Sequence, residues 1–189
     1  KRIIFIKQDL STVMVKYMEI SSRSNVLGGK SNELLNSRSI LRDALPMNPY
    51  LSTMIIRKGT DSDLEEIIAL LKISLGEDRI PKTEALWNWK HLHNPFGESP
   101  VLLAEKDGKI IGVRAFLKWE FIREGKVIPA QRAVDTAVHP DFQGKGIFSQ
   151  LTRKLLEKSK LEGCDLIFNT PNSKSTPGYL KLGWEKWDR

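Results

Sequence analysis

Cysteine is nearly absent: Cys164 stands alone, so no disulfide can close within the chain, and a reducing, cytoplasmic setting is the simplest reading. Histidine is almost as scarce. Of the three, His91 and His93 lie two apart on a helical segment, point to different faces and cannot chelate one metal. No other run offers metal-ligand spacing. Long hydrophobic runs are missing too, since none approaches the roughly 20 apolar residues that cross a bilayer. The opening Lys1-Arg2-Ile3-Ile4-Phe5-Ile6 is basic then apolar, but Lys7, Gln8 and Asp9 cut it short, which makes a poor signal peptide. Charge of one sign is only in mild excess. Of the net +7, residues 1–53 hold +4, with eight Lys/Arg against four Asp/Glu. The remaining +3 is too little to argue for nucleic acid, and it suits a polyanionic small ligand as well as a phosphate backbone.

What is present is an ordinary globular composition, 40% hydrophobic and 28% charged over 189 residues. That length holds one full core, or one domain plus a tail. Two regions differ in character. Residues 1–20 are apolar and β-branched in places, and residues 21–53 are rich in Ser, Asn and Gly, with helix-compatible patches at Glu33–Leu35 and Ser39–Ala44. Residues 1–53 are therefore expected to be a separate extension, and 54–189 the domain.

From Met54 onward, strand and helix signals follow in order. A strand at Met54–Arg57 leads to a helix in which Ser62 and Glu65 fit a capping box. Leu64, Ile67, Ile68, Leu71 and Leu75 form its core-facing stripe. Leu86, Trp87 and Trp89 belong to a second short helix that Asn94-Pro95 ends. Val101–Lys106 and Lys109–Phe121 flank Asp107-Gly108, a two-residue hairpin signal, and Glu124-Gly125 turns the chain again into Val127–Val138. The result is a three-stranded antiparallel meander. A helix from Ile147 to Leu161, an apolar strand Asp165–Asn169, a short helix Thr176–Leu182 and the segment Trp184–Trp187 complete the pattern. The order predicts a mixed α/β (α+β) sheet in which a meander is followed by a βαβ crossover.

The run Val138-His139-Pro140-Asp141-Phe142-Gln143-Gly144-Lys145-Gly146-Ile147-Phe148-Ser149 joins a strand to a helix. A helix start exposes unpaired N–H groups and the positive end of its dipole, which suits phosphate. Gly144 and Gly146 permit positive φ, so several amides can converge on one anion, and Lys145 can add charge. The run lacks the Gly-Lys-Ser/Thr ending of a P-loop and the third glycine of a dinucleotide fingerprint. Taken alone it is equally an ordinary tight turn.

Its context is more specific. Gln143 and Gly146 fill the first two positions of a Gln/Arg-x-x-Gly-x-Gly/Ala motif preceded by a Val-x-Pro strand end, and Phe148 stands at the third. One helix and one strand later comes Tyr179-Leu180-Lys181-Leu182-Gly183-Trp184, similar to a Tyr-x-Lys-x-Gly-Phe run. With both motifs in this order, residues 54–188 resemble the GNAT superfamily of N-acetyltransferases. Trp87-x-Trp89-Lys90 followed by Asn94-Pro95-Phe96-Gly97 resembles a subgroup with an added carboxy-terminal domain.

The resemblance implies splayed central strands and direct transfer of an acetyl (acyl) group from acetyl-CoA to a small-molecule amine, such as an amino sugar, without a metal. It implies that the backbone amides of Gln143, Gly144, Lys145, Gly146 and Ile147 hold the pyrophosphate, with a hydroxyl from Ser149. The pantetheine arm would pair with the strand end at Ala137 and Val138, flanked by Asn169 and Asn172. A backbone N–H near Val138 would face the thioester oxygen, and Tyr179 would protonate the departing thiolate. Asn172, beside Pro171, is equally an ordinary turn residue. Asp135 is the only carboxylate inside the fourth strand and the candidate base, with a water chain or a group outside this chain as the alternative. By two-residue alternation Arg132, Val134 and Thr136 share one face and Asp135 the other, unless a bulge intervenes. Cys164 reads as a buried inert thiol. Trp89 and Trp119 are core or rim residues that could also line an acceptor pocket.

The family fold has one more strand after the segment that begins at Trp184. The sheet is therefore expected to keep an open edge, completed by a missing carboxy-terminal segment or by a second copy in a homodimer. Two other readings compete with the enzyme. One is a degenerate acyl-CoA-binding module without catalysis, suggested by Phe148, the weak base and the open end. The other is a nucleic-acid adaptor, supported by charge alone.

Overall fold

In the computed structural model the described residues are 13–17, 54–77, 80–173 and 175–187. Among the described residues, seven strands form one mixed sheet in the order β2-β3-β4-β5-β6-β1-β7. They are β1 (Val13–Tyr17), β2 (Ile55–Lys58), β3 (Val101–Lys106), β4 (Lys109–Arg123), β5 (Lys126–Val138), β6 (Leu166–Asn169) and β7 (Glu185–Trp187). Helices α1 (Leu64–Leu75) and α2 (Glu84–Trp87) cover one face, and α3 (Ile147–Leu161) and α4 (Thr176–Lys181) the other.

The meander lies where its turn residues put it. Asp107 and Gly108 both take positive φ (52° and 72°), as do Glu124 and Gly125 (53° and 75°), the geometry that matches the twist of paired strands. One core is built by Ile67, Ile68 and Leu71 of α1 against Leu103, Val113 and Ala115. Leu70 joins that core, while Leu75 at the end of α1 is left exposed. The capping box is also shifted. Thr60 N and Oγ1 both bond the Asp63 carboxylate at 2.7 Å, so Thr60 and Asp63 form the box rather than Ser62 and Glu65. Asp63 pairs in addition with Arg57, which reaches Glu105 as well and ties α1 to β2 and β3. The second core packs Ile147, Leu151 and Leu155 of α3 on Ala104, Phe116 and Ala133. Truncating a fully buried leucine such as Leu151 costs about 2–5 kcal/mol. Gly112 allows this close approach, since a Cβ there would lie 2.9 Å from Ile147 Cγ2.

β5 and β6 run parallel, joined by the α3 crossover. Their pairing covers only Ala130–Arg132 against Leu166–Phe168. Beyond Arg132 the two strands part, leaving a splayed gap along residues 133–138 of β5. This is the mixed, splayed sheet expected from the sequence.

β1 changes the picture of the far edge. It pairs antiparallel with β6, Met14 opposite Asn169, and with β7, Val13 opposite Trp187. A strand from residues 1–53 thus lies between β6 and β7, and β7 forms the edge of the sheet. An unpaired β edge accepts any antiparallel strand whose register fits, wherever it lies in the chain. The helix-compatible patches at 33–35 and 39–44 lie outside the described residues.

Candidate functional site

The loop between β5 and α3 is exposed at Gln143, Gly144 and Gly146. Gly146 caps α3 from the left-handed region (φ 85°, ψ 3°) and Gly144 has φ 74°. Side chains added at either position would meet nothing within 4 Å, so backbone conformation, not crowding, calls for glycine here. The amides of Gly144, Gly146, Ile147 and Phe148 make no hydrogen bond with any described residue, whereas that of Gln143 is spent on the Pro140 carbonyl at 3.2 Å. Unpaired amides and a helix dipole on one exposed turn fit the diphosphate of a nucleotide-like ligand. Lys145 folds back instead of projecting. Its Nζ donates to the Asp141 carbonyl at 2.9 Å and sits 4.9 Å over the Phe142 ring. Ser149 lies half-buried in the first turn of α3. Phe148, the departure from the motif, turns inward and meets Tyr179 edge-on at 5.4 Å. Gly178 makes room for it, since a Cβ there would be 3.1 Å from the Phe148 ring.

At the end of β5, His139 N bonds the Ile111 carbonyl at 2.9 Å. Strand alternation then turns the Ala137 amide towards β4 and the Val138 amide towards the gap. The Val138 carbonyl is occupied by Ser74 Oγ at 3.2 Å and Gln143 Nε2 at 3.1 Å. Its N–H is thus the group presented to the gap. Asn169 is buried at the end of β6. Asn172 serves as a local cap: its Oδ1 accepts from Ser175 N at 2.9 Å and its carbonyl from Thr176 Oγ1 at 2.8 Å.

β5 carries a bulge. Val113 pairs with Ala137 and Ala115 with Val134, so Asp135 and Thr136 together oppose Arg114. Asp135 takes φ 43° there. Strict alternation is broken as a result, and the expected faces change: Asp135 faces α1 and α2, and Thr136 the opposite side with Arg114. Asp135 bonds His91 Nε2 at 2.8 Å and pairs with Lys90, both in the one-turn π-helix Asn88–Leu92 that extends α2. Burial works to raise its pKa, but the hydrogen bond from His91 and the charge of Lys90 prevail and hold it at about 2. A carboxylate so committed is a poor proton acceptor.

On the other face Arg114 is fully buried and makes no ion pair among the described residues. One nitrogen, Nη1, bonds both Thr136 Oγ1 and the Tyr179 hydroxyl, the latter at 2.8 Å, while Nε and Nη2 have no partner. The guanidinium lies 4.9–5.3 Å from the centres of the Phe116, Phe148 and Tyr179 rings. Burial pulls its pKa below the usual arginine value. Tyr179 itself is 3% exposed and stacks edge-on with Trp184 at 4.8 Å.

The structure thus gathers Val138, the 143–148 loop, Thr136 and Tyr179 around the gap. It puts Asp135 on the opposite face from Tyr179. Sequence reasoning missed Arg114 and His91, and neither sits in a motif; the bulge turns Thr136 towards Arg114 on one face and Asp135 towards His91 on the other. Trp119 packs against Phe96 and Phe168 at 5.5 and 6.1 Å, as part of an aromatic cluster, while Trp89 is exposed. Burial pushes the Cys164 thiol up to about 11, which leaves it inert. No helix among the described residues is long and apolar enough to cross a membrane.

Comparison with known proteins agrees with this geometry. The chain is 27% identical over 172 residues to an uncharacterised N-acetyltransferase of Methanocaldococcus jannaschii, covering 83% of this chain and 75% of that protein. It is 29% identical over 90 residues to the glucosamine 6-phosphate N-acetyltransferase of Trypanosoma brucei brucei, covering 47% of this chain and 60% of that one. A predicted acetyltransferase of Clostridium acetobutylicum, crystallised with acetyl-CoA, shares the fold with a TM-score of 0.60 at 21% identity, over 72% of this chain and 92% of that one. The family description "Acetyltransferase (GNAT) domain" matches residues 55–187, the whole span from β2 to β7, and the chain belongs to that family of acyl-CoA-dependent N-acetyltransferases.

Proposed function

We propose that the protein transfers an acetyl group from acetyl-CoA to the primary amine of a small molecule such as an amino sugar, by direct attack. The observation that carries this reading is the exposed turn at 143–148, where the amides of Gly144, Gly146, Ile147 and Phe148 have no partner among the described residues and which adjoins the splayed end of β5. Acetyl-CoA supplies the activated acyl group. Gly144, Gly146 and Ile147 hold its diphosphate through backbone N–H groups, with Gln143, Lys145 and Ser149 around them. Ala137 and Val138 line the path of the pantetheine arm, and the Val138 amide faces the thioester oxygen as charge develops on it. Asn169 and Asn172 border the other side of the gap. Tyr179 gives a proton to the departing thiolate. Asp135, held ionised, acts as the anchor of Lys90 and His91, and the amine loses its proton to water. The glucosamine 6-phosphate N-acetyltransferase among the relatives supports an amino-sugar acceptor.

The commitment of Asp135 to Lys90 and His91 also favours a second reading, a binding module that holds acyl-CoA without turnover. Two measurements separate them. Calorimetric titration with acetyl-CoA should show saturable binding under either reading, and no binding would overturn both. Thiol release with a panel of amines, amino sugars included, should show turnover that Tyr179→Phe lowers at least tenfold. No release with any amine would leave only the binding module.

A further inference from the structure

Burying an arginine without a carboxylate is costly, and proteins accept it where the charge is used. Arg114 is such a residue: completely buried, walled by three aromatic rings, without an ion pair among the described residues, and bonded through one nitrogen to Thr136 and Tyr179. Arginine donates and never accepts, so the Tyr179 oxygen must accept from it at 2.8 Å. The phenol's own hydrogen is therefore turned away from Arg114. Thr136, the second oxygen on the same nitrogen, belongs to the part of β5 that has left β6. The phenol oxygen is thereby tethered beside the gap.

We infer that Arg114 is a positioning residue for the acid step, fixing the direction of the Tyr179 proton and neutralising the phenolate that remains. This rests on the acid role proposed for Tyr179. In the step, the O–H bond of Tyr179 breaks and an S–H bond forms on the departing thiolate. The phenolate is left against a guanidinium, and a proton from solvent, balancing the one lost by the amine, restores the phenol. Before the step a buried cation faces a neutral group; after it, an ion pair. The site is arranged for the charge that appears during transfer rather than for the resting state.

The test uses Arg114→Met, which keeps the volume and removes the charge, with Arg114→Lys as the conservative variant. Acetyl-CoA affinity and thermal midpoint should change little for Arg114→Met, since an apolar side chain suits the aromatic wall. Its kcat should fall at least tenfold, and the alkaline limb of its pH–rate profile should move to higher pH, with Arg114→Lys recovering part of both. The ultraviolet phenolate signal of Tyr179, read as wild type minus Tyr179→Phe, should move the same way without any substrate present. Should Arg114→Met unfold, Arg114→Gln, a neutral donor, is expected to give the same shifts. If Tyr179→Phe is slow but the Arg114 variants keep the wild-type pH profile and phenolate signal, this inference falls alone. If Tyr179→Phe turns over at full rate, the acid role falls first.

Discussion

The glycine turn at 143–146 and the β5 bulge lie within one strand end of each other, yet they are specified in opposite ways. The loop is local. Its glycines, its place after Val138 and its place before α3 are enough to fix the φ values of 74° and 85° that open its amides. The bulge is not local. Nothing in Val134-Asp135-Thr136-Ala137 announces an extra residue. It is held by groups distant in sequence: Lys90 and His91 on one side, Arg114 and Tyr179 on the other. A local device can be altered without much loss of fold, whereas losing the Asp135 carboxylate strands the groups that meet at the bulge.

The largest expected effect follows from that difference. Asp135→Ala strands Lys90 and His91 without their carboxylate and puts alanine in the left-handed region. It should lower the unfolding free energy by about 3–5 kcal/mol in a urea titration. Asp135→Asn, which tolerates that conformation, should cost less. An Asp135→Ala variant as stable as wild type would break the comparison.

Gly146→Val should cost the fold only about 1–2 kcal/mol, the strain of one left-handed β-branched residue, while weakening acetyl-CoA at least tenfold by calorimetry. Equal affinity would show that the loop amides do not hold the diphosphate.

An effect of similar size, confined to acid, is a pH dependence. The pKa of Asp135 is depressed in the folded state to about 2, from an unfolded value of 3.8. Its contribution is therefore fully present above the unfolded value and is lost as pH falls through the folded one. Stability should drop by on the order of 2 kcal/mol between pH 5 and pH 2 on this account. Asp63, also held low, chiefly by its hydrogen bond from Arg57, adds to the loss in the same direction. Asp135→Asn should flatten the profile by the Asp135 share alone, and an unchanged profile would mean that the ion pair is not formed in solution.

Much of the fold was legible because its signals are short-range. Asp107-Gly108 and Glu124-Gly125 set the meander, and the bounds of α3 follow from Gly146 before it and Gly163 after it. The misplacements were of the same local kind: Thr60 and Asp63 cap α1 where Ser62 and Glu65 offer a similar spacing. The candidate site was legible only at its exposed glycine turn. Gln143, Gly144 and Gly146 stand in one run, whereas Arg114 and His91 are single residues in a strand and a helix with no motif around them. The role of β1 was hidden for a related reason. Strand pairing between Val13–Tyr17 and β6 joins segments far apart in sequence, and a five-residue apolar stretch does not name its partner.

By itself the sequence determined the order of elements from β2 onward, the family resemblance and the glycine turn before α3, since turn chemistry and helix starts depend on neighbours a few residues away. Only the tertiary structure decided where Asp135 points, that a buried guanidinium meets Tyr179, and which strand lies beside β6. Those outcomes depend on side chains and edges that meet through packing, and a one-residue slip in register is enough to change them.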